Sequence, residues 1–230
     1  MSQVPEPYRE RAARLPGAIL WTRTTDGRGQ RVLPDGCMDL LWIEGDLVVA
    51  GPDTSAYVAD SEPGIRHAAL RFAPGTGPGF LGVPARQVRD TRVPLADLWS
   101  PGRSRRLADR IGTAPNPGLA LEQAAVELFD RPPDRLAAAV LSGVRRGVGV
   151  RDIARSAGLS ERQLHRRCLD AFGYGPKMLT RVLRMNAALD RARAGLALAE
   201  VAAMSGYADQ AHFTREVKAL AGVTPSVLLN

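Results

Sequence analysis

The sequence has little cysteine and no long apolar segment, and each absence argues against a class of protein. Only two cysteines, Cys37 and Cys168, occur in 230 residues, which argues against a disulfide framework and against paired zinc-ligand motifs. No apolar run approaches the ~20 residues that span a bilayer. The first 14 residues are polar and lack the apolar stretch of a secretory signal. We therefore expect a cytoplasmic globular protein with two reduced thiols.

Positive charge is concentrated at one end of the chain. The formal net charge is +7, and residues 141–230 hold 14 Arg and Lys against 7 Asp and Glu, whereas residues 1–140 hold 17 of each class. A basic module joined to a neutral one indicates that only the C-terminal part meets a polyanion. A membrane surface would require a basic amphipathic helix with bulky apolar residues opposite the charge, and we find none.

Short apolar runs separated by glycine and proline fill the first hundred residues. Gly45-Asp46 predicts a tight hairpin, residues 74–79 are predicted to form a loop, and Pro84 and Pro94 each stand where a short helical segment can begin. The predicted strands are 18–24, 38–44, 46–50 and 65–72. This part of the chain is therefore predicted to be β-rich.

Helices dominate the rest of the chain. Residues 103–118 mix Arg, Ser, Pro and Gly without an apolar period and are predicted to be a linker. A helix is expected at 119–129, ended by Asp130-Arg131-Pro132-Pro133. The helices predicted after it are 135–146, 150–157, 160–172, 177–194, 198–205, 209–220 and 225–229.

Two stretches of this helical region match each other. The first contains Ile153-Ala154, Gly158-Leu159-Ser160, Leu164, Gly173 and Pro176, and the second contains Val201-Ala202, Gly206-Tyr207, Phe213, Gly222 and Pro225. A helix-turn-helix needs a small residue where its helices cross and a residue that tolerates positive φ in its tight turn. It also needs an N-cap on its second helix, which Ser160 and Asp209 supply. The repeat therefore predicts two helix-turn-helix units joined by a helix.

The second helix of each unit divides into a core face and an outward face. Arg162, His165, Arg166 and Leu169 fall opposite the core in the first unit. Gln210, Thr214, Arg215 and Lys218 are predicted to face outward in the second unit. Arginine and glutamine carry bidentate groups that fit guanine and adenine edges, and threonine can contact a thymine methyl. These helices are therefore candidate DNA-reading elements.

The region 141–229 resembles the DNA-binding domain of AraC-type transcriptional regulators. The resemblance rests on three pieces of sequence, which lie at 198–202, 205–215 and 221–225. It implies that each recognition helix enters a major groove, the two lying about one turn (~34 Å) apart. The base-reading positions of the family correspond to Arg162, His165 and Arg166 and to Gln210, Ala211, Thr214 and Arg215. Ala211 is too short to read a base by hydrogen bonding.

The N-terminal part also resembles a known companion of such modules. The stretch 34–42 followed by Ala50-Gly51-Pro52 is similar to an uncharacterised domain found ahead of AraC-type modules. We thus expect an α+β chain with three parts. These are a β-rich sensor or dimerisation domain (1–105), a linker and helical connection (106–140), and an all-α tandem helix-turn-helix domain (141–230).

The expected function is sequence-specific regulation of transcription in response to a ligand or signal. The expected partners are double-stranded DNA, RNA polymerase, a small-molecule effector and a second copy of the chain, without a cofactor or metal. One alternative is a constitutive DNA-binding protein whose N-terminal domain only dimerises. Another is an enzyme with a DNA-binding tail, for which Cys37, Asp39 and His67 are the candidate catalytic group. Trp21, Trp42 and Trp99 are predicted to pack in the core, with a ligand pocket as the alternative.

Overall fold

A computed structural model describes residues 8–59, 62–128 and 134–229 and has the predicted α+β architecture. The strands are β1 (Arg9–Ala12), β2 (Ala18–Thr24), β3 (Gln30–Val32), β4 (Met38–Ile43), β5 (Asp46–Ala50), β6 (Tyr57–Ala59), β7 (Arg66–Phe72) and β8 (Arg92–Pro94). The helices that accompany them are α1 (Gly77–Leu81), α2 (Leu95–Leu98), α3 (Pro101–Gly112) and α4 (Pro117–Leu128), with a 3₁₀ turn at Ala85–Gln87. The remaining helices are α5 (Arg135–Arg145), α6 (Val150–Ser156), α7 (Glu161–Phe172), α8 (Pro176–Arg193), α9 (Leu198–Met204), α10 (Gln210–Ala221) and α11 (Pro225–Leu229).

Six antiparallel strands form the main sheet, in the order β1-β2-β7-β4-β5-β8, and β3 pairs with β6. Alternation along these strands buries Leu20, Leu40, Val49 and Leu70 in one core. All four predicted strands are confirmed, two of them one residue shorter. Helices that include α3 and α4 cover the face of the sheet that carries these four residues.

The hairpin between β4 and β5 turns one residue earlier than predicted. Ile43 pairs with Asp46, so the two turn residues are Glu44 (φ 48°) and Gly45 (φ 107°). Positive φ at both positions characterises the type I′ turn, whose twist matches that of the flanking strands. The loop predicted at 74–79 is also partly wrong, because α1 begins at Gly77.

The predicted linker at 103–118 is wrong over most of its length. Residues 103–112 belong to α3, which begins at Pro101 and buries Ser104, Leu107 and Ile111 against the sheet. Its apolar residues follow a helical spacing, but four arginines on the exposed face give the segment the composition of a linker. A helix thus takes the place of the connection expected here.

The boundary between the two halves also differs from the expectation. Leu121, Ala124 and Ala125 of α4 join the core of the sheet, whereas Ala137 and Val140 of α5 join the core of the first helix-turn-helix. We therefore propose an N-terminal unit of residues 8–128 and a helical unit of residues 134–229. The predicted helix end at 130–133 lies outside the described residues.

The helices predicted from 135 onward are confirmed, with ends that shift by one residue at most. The long helix α8 serves two cores. Leu179 and Val182 pack in the core of α5, α6 and α7, while Met185 and Leu189 pack in the core of α9 and α10. The single helix α8 therefore joins the two helix-turn-helix units, as the repeat predicts. Within the described residues, no helix has the length and apolar character needed to cross a membrane.

Candidate nucleic-acid interface

The first helix-turn-helix is formed by α6 and α7. Ala154 is buried where the helices cross, and Gly158 (φ 66°) makes the turn. The backbone N–H of Gln163 donates to Ser160 Oγ (3.3 Å), and that of Ser160 donates to Gln163 Oε1 (2.9 Å). This capping box satisfies two backbone donors at the start of α7. Local sequence alone thus fixes where the first recognition helix begins.

The second unit repeats the arrangement with α9 and α10. Ala202 is buried at the crossing, and Gly206 (φ 71°) makes the turn. Asp209 Oδ1 accepts from the backbone N–H of His212 (2.6 Å) and caps α10. His212 Nδ1 accepts from the N–H of Ala208 (3.2 Å), and its ring meets that of Tyr207 edge-on. His212 therefore supports the start of the helix.

The candidate DNA-reading residues of α7 are all exposed. Arg162 and Arg166 project on the side away from Leu164 and Cys168, which are buried. His165 is exposed as well, but its ring lies on Gly175, where an added Cβ would overlap it. Packing therefore restricts the ring of His165 to one flank of the helix. The three residues lie together on the first two turns of α7.

The second recognition helix presents a smaller set of long side chains. Gln210, Ala211 and Arg215 are exposed and Thr214 is half-buried. Phe213, Val217 and Leu220 hold the opposite face in the core. The matching position Ala211 presents only a methyl group. The two helices therefore offer DNA unequal numbers of hydrogen-bond donors.

An ion pair that the sequence did not reveal fixes α10 against the connecting helix. Arg181 donates to both carboxylate oxygens of Glu216 (2.7 and 3.3 Å), and Arg184 lies 3.6 Å from the same carboxylate. The hydrogen bond from Arg181 lowers the pKa of Glu216 below its ordinary value. Arg184 also stacks over the ring of Tyr207, 4.2 Å from its centroid. These contacts set the orientation of the second recognition helix.

Two family models match the chain, one in each half. A model described as a helix-turn-helix domain matches residues 153–230, and one described as a domain of unknown function (DUF6597) matches residues 18–94. The C-terminal unit is an AraC-type helix-turn-helix domain. The AraC-type domain indicates a DNA-binding transcriptional regulator. No curated protein is detectably similar to the chain in sequence.

Solved structures of ToxT from Vibrio cholerae share the fold along nearly the whole chain. An apo variant of ToxT has a TM-score of 0.52 at 13% identity, with 95% of this chain and 98% of that chain covered. A wild-type ToxT bound to an unsaturated fatty acid has a TM-score of 0.50 at 13% identity, with coverages of 95% and 96%. The order of a β-rich unit followed by a helical unit is thus shared with ToxT.

The N-terminal unit contacts the C-terminal end of both recognition helices of the AraC-type domain. Arg89 Nη1 donates to the carbonyl of Gly173 (3.2 Å), which follows α7, and Arg31 Nη1 donates to the carbonyl of Ala221 (3.0 Å), the last residue of α10. Carbonyls at a helix C-terminus lack partners within the helix and carry partial negative charge, so an arginine stabilises them. Both recognition helices are therefore held at their C-terminal ends.

Further polar contacts cross the same boundary. The backbone N–H of Ala56 donates to the carbonyl of Leu220 (2.7 Å), and Asn186 Nδ2 on α8 donates to the carbonyl of Pro34 (2.8 Å). Arg86 forms an ion pair with Asp170 on α7. The sequence did not lead us to predict this interface. The one signal was Asn186, because an amide within the apolar face of the connecting helix requires a polar partner.

The candidate catalytic group does not assemble. Asp39 pairs with Arg71 (3.2 Å), whereas His67 lies four residues from Arg71 on β7, which corresponds to about 13 Å along a strand. Burial raises the pKa of the Cys37 thiol well above its ordinary value, opposite to what a nucleophile requires. Asp39 therefore cannot orient His67, and Cys37 is poorly suited to attack a substrate.

The three tryptophans pack mainly in the protein interior, as predicted. Trp42 is buried among the residues between the sheet and the helices, and Trp99 packs against the same core with its Nε1 donating to the carbonyl of Leu81 (2.9 Å). Trp21 is buried on the other face of the sheet, where its ring stacks with that of His67. The side chain of Trp42 is therefore part of the core.

Proposed function

We propose that this protein reads one specific DNA site with two recognition helices and regulates transcription from it. The observation that carries the proposal is the pair of matched helix-turn-helix units on the single helix α8. Because α8 contributes to both cores, the two recognition helices move as one body. Two helices in fixed relation fit two segments of major groove spaced by one helical turn, 10–10.5 bp.

Base reading is assigned to outward-facing side chains of the two helices. Arg162, His165 and Arg166 act in the first unit, and Gln210, Thr214 and Arg215 act in the second. Arginine and glutamine supply bidentate contacts, and the remaining basic residues of the AraC-type domain supply phosphate contacts that carry no sequence information. Because α7 presents more donors, the first unit contributes most of the discrimination between bases.

Regulation is assigned to the N-terminal unit. Its arginines Arg31 and Arg89 hold the ends of both recognition helices, so a change in how the unit docks alters the presentation of α7 and α10. ToxT, which shares the fold, has been solved with an unsaturated fatty acid and with a naphthalenyl butenoic acid. Those structures support a small-molecule effector, and regulation of this kind acts through promoter occupancy or contact with RNA polymerase.

Dimerisation through the N-terminal unit is the second candidate role. Leu119 and Val126 are seven residues apart on α4, and each is nearly half exposed (47% and 46%). Residues at this spacing share one helix face, and an apolar face on the surface favours association. Sedimentation velocity on the wild type and on Leu119→Glu/Val126→Glu tests this role, because a dimer through α4 becomes a monomer in the double variant.

Selection from a random duplex library, followed by footprinting of one selected site, tests the proposed function. We expect a site with two conserved blocks, about one helical turn apart on one face of the DNA. Enrichment of a single short block would show that only one unit reads bases. Failure to enrich any sequence at moderate salt would contradict sequence-specific binding altogether.

A further inference from the structure

Two segments of the N-terminal unit each run from the end of one recognition helix to the end of the other. The first, residues 31–36, leads from the end of β3 towards β4, and the second, residues 52–56, leads from β5 to β6. Each segment contacts the end of α10 and the end of α7. The N-terminal unit therefore touches the two helix-turn-helix units through continuous pieces of its own backbone.

The first segment contacts the second unit at one end and the first unit at the other. Arg31 donates to the last carbonyl of α10, and Leu33 packs against the core of α9 and α10. The carbonyl of Pro34, in the middle, accepts from a side chain of α8. Gly36 lies against Tyr174, which follows α7 and belongs to the first core; a Cβ added to Gly36 would come within 3.1 Å of the Tyr174 hydroxyl.

The second segment runs between the same two helix ends. Pro52 packs so closely on Gly173, the cap of α7, that an added Cβ at Gly173 would overlap it. Four residues later, the backbone N–H of Ala56 donates to the carbonyl of Leu220 in the last turn of α10 (2.7 Å). The recognition helices are thus joined twice through the N-terminal unit, in addition to their connection through α8.

Both segments are anchored in the N-terminal unit. In the second segment, the nearly buried carboxylate of Asp53 accepts two hydrogen bonds from Arg92 of β8 (2.8 and 2.7 Å). The first segment leads directly into β4, whose first residue, Met38, is buried in the core of the sheet. A buried residue or a paired charge resists displacement, so neither segment shifts independently of the sheet.

The connection through α8 leaves some bending between the two helix-turn-helix units. Among the described residues, Met178 alone packs against both of their cores. Helices as long as α8, which has 18 residues, commonly curve gently along their length. A second connection at the ends of α7 and α10 opposes such bending, because any change in the curvature of α8 also pulls on the two anchored segments.

We propose that the N-terminal unit is a brace between the two recognition helices, and that this brace sets how strictly the full chain selects the spacing of the two DNA blocks. One base pair of B-DNA moves a block by about 3.4 Å and rotates it by about 35°. A protein that bends along α8 accommodates this change better than a braced one. The consequence for DNA rests on the proposed function, whereas the brace itself is measured without DNA.

A series of three DNA sites tests the brace. The selected site is compared with sites that have one base pair inserted or removed between the blocks, by fluorescence anisotropy on the full chain. The wild type should lose about tenfold in affinity at either altered spacing, as for a mismatched base pair. Arg31→Gln/Leu33→Ala should lose only about threefold, because units that bend keep more of their base contacts.

Matched controls separate the brace from general effects of substitution. Arg28→Gln/Leu98→Ala also removes an arginine and shortens a partly buried leucine, but Arg28 is exposed beside Asp26 and Leu98 packs in the core of the N-terminal unit. This control should keep the spacing profile of the wild type. The single variant Arg31→Gln should show a smaller shift in the same direction, and it decides the matter if the double variant does not fold.

Two outcomes of the spacing series would overturn the proposal. The first is a brace variant with the same spacing profile as the wild type. The second is a wild type that binds all three sites equally well, since a braced pair of helices cannot follow both altered spacings. If selection yields no site at all, the proposed function fails and the brace is decided by a measurement without DNA.

That measurement is the distance between spin labels on the two recognition helices, obtained by pulsed electron paramagnetic resonance. The labels are attached in Arg162→Cys/Gln210→Cys, at exposed positions near the starts of α7 and α10, with Cys37→Ala and Cys168→Ala as the background. We expect a narrow distance distribution in this background and a broader one when Arg31→Gln/Leu33→Ala is added. Equal widths would show that α8 alone fixes the two helices and would overturn the brace.

Discussion

Individual residues decide how the reading of bases divides between the two recognition helices. The first helix presents Arg162, His165 and Arg166, whereas the second has Ala211 at a matching position. A good bidentate base contact contributes ~1–3 kcal/mol of discrimination. Arg166→Ala should therefore flatten base preference in one half of the site, and Arg215→Ala should do so less strongly in the other half.

Binding-site selection on the wild type and both variants measures this difference. Arg105→Ala, at an exposed position on α3, is the control for loss of one positive charge and should leave the selected motif unchanged. If Arg215→Ala flattens more positions than Arg166→Ala, the second helix is the main reader, and the ranking based on side-chain length is wrong.

At the scale of elements, the ion pair between α8 and α10 makes a prediction about pH. Arg181 lowers the pKa of Glu216, so the pair stabilises the fold above the ordinary pKa of a glutamate and loses this effect as pH falls through the lowered value. Because the pair is only partly buried, Glu216→Gln should reduce the free energy of unfolding by about 0.5–1 kcal/mol at pH 7. The reduction should disappear in strong acid.

Urea unfolding at several pH values checks the role of Glu216. Asp152→Asn is a suitable control, because Asp152 forms an exposed ion pair with Arg155 within the same helix, α6. A difference between Glu216→Gln and the wild type that grows as pH falls would contradict the assignment, since a neutral side chain cannot lose a charge contact.

Sequence predicts those elements whose ends are set locally. The capping box of Ser160, the cap by Asp209 and the glycines after α7 and α10 fix both recognition helices without help from distant residues. By contrast, α3 was missed because its buried residues Leu107 and Ile111 are outnumbered by arginines on its exposed face. Helical spacing was present there, but composition concealed it.

The interface between the N-terminal unit and the helical unit could not be predicted, because its contacts join residues far apart in the chain. Arg31 and Arg89 donate to backbone carbonyls, and any residue type supplies a carbonyl, so no partner is visible in the sequence. The predicted linker at 103–118 also concealed the extent of the N-terminal unit. Positions of the candidate base readers were predictable, since helical periodicity determines which side chains face away from the core.

The whole molecule is predicted to separate into units with different tasks. Residues 134–230 contain both helical cores and the whole excess of positive charge. This fragment should fold and bind the selected site within roughly tenfold of the full chain, a difference of ~1.4 kcal/mol. Its affinity should fall steeply with salt as arginines displace counterions. Circular dichroism and fluorescence anisotropy provide the measurements.

The point of truncation matters for this experiment. A cut after residue 105 would fall inside α3 and leave Leu107 and Ile111 without the sheet that covers them. A cut between α4 and α5 leaves both units intact. A folded fragment without DNA affinity at low salt would show that the helical unit does not carry the DNA-binding function. Loss of sequence preference alone would show that the N-terminal unit takes part in reading bases.

The central claim is that two recognition helices, fixed on α8, read one site together. The most direct test inserts 5 bp between the two blocks of the selected site, which places the second block on the opposite face of the DNA. We predict that affinity falls to that of a site with only one block intact, because α8 cannot rotate one unit by half a turn relative to the other. Unchanged affinity after the insertion would contradict the claim.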